Sequence, residues 1–213
     1  MKFTKTLSAL TLVTALTFAA SANAATNFAE QKFRLDTNVG FKITNYSVKD
    51  SSVHFNSGSF QLNLAGHYFV FNNNSVAVGV GAEAGASLGT STIGGSYNHT
   101  QSQVVDSTVT TNYDRSYKDY NGGLSVLAQF NVENSVFTPY VQFSVGYQEA
   151  KLRFLGEKFK YDGVYTKLGA GVSWTNGFTA GAYVTYLPSQ SSSVDNIDKA
   201  SAYSVGFLAG WKF

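Results

Sequence analysis

The alternation through residues 203–213 constrains this chain more than any other feature. Tyr203, Val205, Phe207, Ala209, Trp211 and Phe213 share one parity, and Ser204, Gly206, Leu208, Gly210 and Lys212 share the other. A period of two marks a strand whose faces meet different surroundings. Here the bulkier face is apolar and ends in aromatics, while the opposite face is mostly small or polar. Eleven residues rising about 3.3 Å each reach roughly 36 Å. Tilted by about 40°, such a strand crosses an apolar band of about 25 Å, the height of a transmembrane barrel's outer wall. It is expected to close a barrel. Through Tyr203, Val205, Phe207, Trp211 and Phe213 it is also expected to carry the signal read by barrel-insertion machinery.

Seven further segments repeat the pattern. Phe33, Leu35, Thr37, Val39, Phe41 and Ile43 alternate with Arg34, Asp36, Asn38, Gly40 and Lys42. A Lys or Arg facing lipid at mid-bilayer costs about 2–4 kcal/mol, so the charged parity must face the lumen. Equivalent strands are predicted near 59–71, 76–88, 122–132, 136–150, 161–174 and 178–187, with boundaries good to a few residues. Short turns at 72–75, 133–135 and 175–177 are rich in Asn, Gly and Ser. Longer polar segments at 45–58, 89–121, 149–160 and 188–201 alternate with them. The expected fold is therefore all-β, an eight-stranded antiparallel up-and-down transmembrane barrel. Its long loops are expected to be extracellular and its termini periplasmic. A soluble barrel with a ligand cavity would place its apolar face inside. The aromatics at both ends of the apolar face, Phe137, Trp174 and Phe178 at one end and Tyr147, Tyr186 and Tyr203 at the other, argue for interfacial girdles instead.

The front of the chain fits that destination. Lys2 and Lys5 precede a short apolar core from Leu7 to Ala20 and a small-residue site at Ala22-Asn23-Ala24. This pattern predicts a signal peptide over 1–24, cleaved to leave 25–213 as the barrel. Two of the fifteen basic residues leave with it, so the mature chain balances thirteen basic against thirteen acidic residues. That neutrality argues against a nucleic-acid binder. There is no cysteine, which removes disulfides and thiolate metal sites.

The leader, the eight strands, Phe137-Thr-Pro-Tyr-Val with Gly146-Tyr147, and the final Gly-Trp-Lys-Phe together resemble the small outer-membrane β-barrel superfamily. That group includes the OmpA membrane domain, OmpX/Ail-like proteins and opacity-type proteins. The resemblance covers essentially the whole mature chain. It implies the fold and a Gram-negative outer membrane, without settling the activity. No peptidoglycan-binding domain of the full-length OmpA kind is expected after the barrel, and no motif places the chain in the Ail branch.

Three groups of residues are candidates for function. The predicted lumen holds Arg34, Asp36, Lys42, Gln61, Asn63, His67, Glu83, Gln129, Asn131, Gln142, Gln148, Tyr165, Lys167 and Tyr183. Glu83 and Lys167 each lie seven residues from their short-turn ends and are expected at similar heights, where buried charges must pair. The pair reads as part of a static polar plug, with a gated pore as the sharper alternative. The histidines His54, His67 and His99 show no metal-ligand spacing, so no metal or cofactor is expected. His54 beside Ser52, Ser57 or Ser59, oriented by Asp50, sketches a lipid A-modifying enzyme. The local His54-Phe-Asn-Ser does not match the His-x-Ser pattern of a deacylase.

The long segments are the third group. Tyr97, Tyr113 and Tyr117 sit among Ser, Asn and Gly, a composition suited to adaptable recognition. Lys158 and Lys160 lie in a mixed basic cluster with Lys151 and Arg153, suited to lipopolysaccharide phosphates or acidic host polymers, or simply to a solvated rim. The expected role is a non-enzymatic, monomeric surface protein acting in adhesion, host-defence resistance or envelope integrity. Its expected partners are outer-membrane lipids, lipopolysaccharide, the insertion machinery and host surface proteins. A narrow pore is the alternative, and a lipid A-modifying enzyme the third reading.

Overall fold

The computed structural model describes residues 30–48, 54–94, 116–154, 157–192 and 200–213. The expected leader and its cleavage site lie outside them. Eight strands follow in chain order: β1 (Phe33–Val48), β2 (His54–Asn72), β3 (Val76–Gly94), β4 (Ser116–Phe130), β5 (Phe137–Phe154), β6 (Glu157–Trp174), β7 (Phe178–Ser192) and β8 (Ala200–Lys212). Each pairs antiparallel with its chain neighbours, and β1 pairs with β8, so the sheet closes into a barrel. The seam runs to the last residue. Leu35 N donates to Phe213 O at 3.0 Å, and Phe213 N donates to Leu35 O at 2.8 Å.

Parity sets what each wall position sees. On β1, Val39, Phe41 and Ile43 are exposed outward while Arg34, Asp36, Asn38 and Lys42 are buried inside. The same division holds on β8, where Phe207 is 64% exposed and Ser204 is buried. From Phe33 to Ile43 the outer apolar face covers roughly 33 Å of strand, enough for the apolar band once tilted. A bulge between Phe69 and Phe71 resets the β2 register, so Val70 and Phe71 both face outward. Trp174, Phe178 and Trp211 form a chain of rings 5.3 and 5.5 Å apart near the short turns. Towards the other end, Tyr186 stacks on Tyr203 at 4.8 Å.

The short turns end their strands where side chains satisfy free backbone donors. Asn73 Oδ1 accepts from Ser75 N and Val76 N, and Asn176 Oδ1 accepts from Phe178 N. Gly177 supplies the positive φ (88°) that its turn requires. Here the expected strand limits match to within two residues.

At the far end they do not. The predicted loops 45–58 and 149–160 are largely strand. β1 and β2 pair as far as Ser47↔His54, and β5 and β6 as far as Phe154↔Glu157. The cause is an inversion of the alternation. Near the far end Tyr46, Tyr117, Ala150, Leu152, Tyr161, Leu187, Ala200 and Ala202 point inward and form a buried cluster. Outward positions there carry polar or charged groups such as Asn45, Lys118 and Lys151. The strands continue past the lipid band with apolar residues inside and polar ones outside, the pattern of a soluble barrel.

The lipid-facing parity makes a direct prediction. Phe207 pairs with Phe41 and Ala182 near mid-band, so Phe207→Arg should destabilise the barrel by about 2–4 kcal/mol in phospholipid vesicles. Urea unfolding followed by the fluorescence of Trp174 and Trp211 measures this. An unchanged midpoint would remove the assignment of that face to lipid.

Candidate functional site

The lumen is built in three layers by the inward parity. At the short-turn end Arg34 is fully buried and forks onto Asp36, two residues along the same face. Its Nε donates to Oδ2 and its Nη2 to Oδ1, both at 2.8 Å. Its Nη1 donates to Gln129 Oε1 at 3.2 Å, and its guanidinium lies 4.6 Å from the Tyr140 ring centroid. Phe69, Ala77 and Leu127 pack beside Tyr140 to seal this end. The bidentate pair meets the condition for burying an arginine, since every polar edge has a partner or a ring face.

The middle layer centres on Glu83. Lys167 Nζ donates to its Oε2, as does Gln142 Nε2 at 2.7 Å, and Tyr165 Oη donates to Oε1 at 2.8 Å. The structure therefore brings the sequence-predicted pair together and surrounds its carboxylate with further donors. Tyr183 lies across from Lys167, with the ammonium 5.4 Å from its ring, and donates to Gln61 Oε1 at 2.6 Å. Gly206 makes room for that ring, because a Cβ there would overlap it. His67 Nε2 lies 2.8 Å from Ser125 Oγ, and Thr179 Oγ1 donates to Asn38 Oδ1 at 2.9 Å.

In the third layer Lys42 Nζ donates to Asp119 Oδ2 at 2.6 Å. Above it Tyr46 hydrogen-bonds Tyr117 at 3.0 Å and stacks on Tyr161 at 5.7 Å. Cavities of about 30 and 10 Å³ remain between the layers, sharing Asn63, Lys167, Tyr183 and Leu208 in their walls. Each has room for about one water.

Several candidate residues fall elsewhere than expected. Tyr117, read as a surface-loop residue, is 1% exposed inside the far-end cluster, because its odd position on β4 faces the lumen. Asn131 is exposed in the turn after β4, where its Nδ2 donates to Asn74 O, rather than in the lumen. Lys160 is on β6, paired with Glu149 and Asp162 at 3.1 Å each. Lys158 belongs to the same strand, opposite Arg153. Tyr97, Tyr113, His99, Asp50 and Ser52 lie outside the described residues. Ser57 and Ser59 are buried at odd positions of β2, whereas His54 holds an even one. Tyr203, Val205, Phe207 and Trp211 all present outward on β8.

Among the described residues no three His, Asp or Glu come together as a metal site. Parity alone could have found Phe69, Leu127 and Tyr140 inside. Nothing in the spacing announced the Lys42–Asp119 contact. The Glu83 cluster yields a stability prediction. Glu83→Gln keeps the shape but leaves the Lys167 ammonium buried without its counter-charge, at about 3–5 kcal/mol. Adding Lys167→Met should recover most of the loss in the same vesicle unfolding assay. A double variant as unstable as the single one would show that the charge is not the cause.

Comparison with known proteins completes the picture. No curated protein matches the sequence. The Neisserial surface protein A has a similar structure at 14% identity, covering 85% of this chain and 97% of that one with a TM-score of 0.48. Ail, the attachment invasion locus protein of Yersinia pestis, is similar at 14% identity, covering 86% and 100% with a TM-score of 0.41. The outer membrane enzyme PagL is similar at 12% identity, covering 82% and 97% with a TM-score of 0.46. The family model for the outer membrane protein beta-barrel domain matches residues 10–213. With a closed eight-stranded wall that is apolar outside and polar within, the chain belongs to that outer-membrane barrel family of Gram-negative bacteria.

Proposed function

We propose that this protein is a monomeric, non-enzymatic surface barrel whose far end is extracellular and whose termini are periplasmic. Its work is adhesion, resistance to host defence or envelope integrity, carried out by the segments that join the strands at that end. The filled lumen is the observation that carries this reading. Among the described residues, apolar and aromatic clusters lie at both ends, paired charges lie between them, and the cavities between the layers have room for about a water each. An interior so occupied leaves the outer surfaces to meet partners, which are host surface proteins and the lipids around the wall.

The burial of Tyr117 sets the limits of the deletion that tests this role. Deleting 95–115 removes the connection between β3 and β4 and spares the strand that carries Tyr117. Cells of a non-adherent host displaying the intact protein should attach to host cells and matrix proteins, and cells displaying the deletion at equal level should not. In planar bilayers the intact barrel should show no steady conductance. Conductance that Glu83→Gln alters, without loop-dependent attachment, would support the narrow pore instead. An altered lipid A mass in expressing cells would support the enzyme.

The outward residues of β8 are assigned to recognition by the insertion machinery. Trp211→Ala with Phe213→Ala should slow insertion in a reconstituted assembly assay several-fold while leaving the lumen contacts untouched. Insertion at the normal rate would remove this role.

A further inference from the structure

Among the described residues of the far-end wall, the outward charged groups gather on β4, β5 and β6. At the far end, Lys118 on β4 pairs in the ladder with Lys151 on β5, and Lys151 pairs with Lys160 on β6. The three lysines therefore form one row across adjacent strands, all at outward positions. One step towards the membrane the row is Tyr120, Glu149 and Asp162, and below it stands Tyr147. Elsewhere at the far end the outward positions Ser47, Asn56, Thr90, Pro188 and Ser201 are uncharged. The sector sits directly above the exposed rings of Tyr120 and Tyr147, which mark the edge of the lipid band.

The lysines of this row stand side by side. Like charges directly opposite across a sheet repel, so the lysine row needs anions. Glu149 takes Lys151 at 2.6 Å and Lys160 at 3.1 Å, and Asp162 takes Lys160 at 3.1 Å. Lys118 is exposed and has no ion pair among the described residues. Among the described residues, the carboxylates of Glu149 and Asp162 take Lys151 and Lys160 and leave Lys118 out. Hydrogen bonds from Lys151 and then Lys160 hold the Glu149 carboxyl below its usual range, and Glu149 then Asp162 raise Lys160, so these groups stay ionised at neutral pH. Lys151 remains 56% exposed despite its pair.

We propose that Lys118, Lys151 and Lys160 form a docking surface for the phosphate groups of a phosphorylated glycolipid in the outer leaflet. The occupant is chosen by position. The row lies on the side wall rather than over the mouth, so a molecule standing in the leaflet beside β4–β6 reaches it with its headgroup while its chains lie on the apolar wall below. Lysine stems suit that geometry, running along apolar surface and lifting the ammonium to headgroup level. The exposed ammonium of Lys118 and the half-exposed Lys151 supply the attraction. The proposal deepens the surface-protein reading above and rests on its orientation, with this end outside.

The test uses the full barrel in nanodiscs of zwitterionic lipid doped with lipid A. Native mass spectrometry counts lipid A molecules retained by the protein after release from the disc. The intact barrel should retain bisphosphorylated lipid A at least tenfold better than lipid A stripped of both phosphates, and the preference should fall as salt rises. Lys118→Gln/Lys151→Gln/Lys160→Gln should abolish the preference. Should that variant fail to show the folded barrel's gel mobility, Lys118→Gln alone serves, since it leaves every ion pair in place; it should lose threefold or more.

Equal retention by variant and intact protein would overturn the proposal, as would equal retention of the two lipids. Competition by millimolar inorganic phosphate would reassign the row to a free-anion site and overturn lipid docking. Orientation is tested separately. The sequence has no cysteine, so Thr90→Cys gives a unique thiol at the far-end rim for a membrane-impermeant maleimide on intact cells. Labelling supports the orientation. Its absence overturns the assignment to the outer leaflet even if the nanodisc arm succeeds.

Discussion

Closure of the backbone hydrogen-bond ring is the constraint on which everything else depends. At lipid depth no water satisfies an unpaired N–H or C=O, so a spanning sheet is stable only without edges. The β1–β8 seam, extended by the reciprocal bonds of Leu35 and Phe213, removes the last edge. Once the ring is closed, every residue has only two directions available. Outward residues must tolerate acyl chains, and inward residues must fill a tube about as wide as their own side chains. Gly206 shows how tight the second demand is, since its missing Cβ is the space that the Tyr183 ring occupies.

The filled tube contains ions, and their arrangement follows from the cost of leaving any one alone. Arg34–Asp36, Lys42–Asp119 and Lys167–Glu83 stand at three heights, each cation against a carboxylate. Burying a pair gives little net stability, but stranding one partner costs several times more. The lumen is therefore hard to open one residue at a time. Breaking Glu83 from Lys167 leaves Gln142 and Tyr165 still aimed at the same carboxylate. That redundancy suits a static plug better than a gate.

Much of this was legible in the sequence because parity and lipid exclude each other's errors. A charged residue fixes the inward face of its strand, so the register of β1 followed from Arg34 and Lys42, and a count of seven from the turns brought Glu83 level with Lys167. What parity could not supply was the path across the lumen. Lys42 and Asp119 lie 77 residues apart and meet only because the barrel fixes the stagger of β4 against β1. Tyr117 reads as a loop residue because its neighbours are polar. Composition does not reveal that a tyrosine flanked by Ser116 and Lys118 points the other way from both.

The far-end strands escape the apolar pattern for the same physical reason. Alternation persists over 149–152 and 160–162, but its sense is reversed: Ala150, Leu152 and Tyr161 turn inward while Glu149, Lys151 and Lys160 turn outward. A search for apolar residues on the outward parity stops where the lipid stops, although the strand continues. The position of the reversal, marked by the Tyr186–Tyr203 stack and by Tyr120 and Tyr147, is therefore a membrane boundary written in the sequence. Beyond it the wall has the pattern of a soluble barrel with an aromatic core. Lys118, Lys151 and Lys160 stand on the outside of that collar, on its side wall just beyond the boundary that the tyrosines mark.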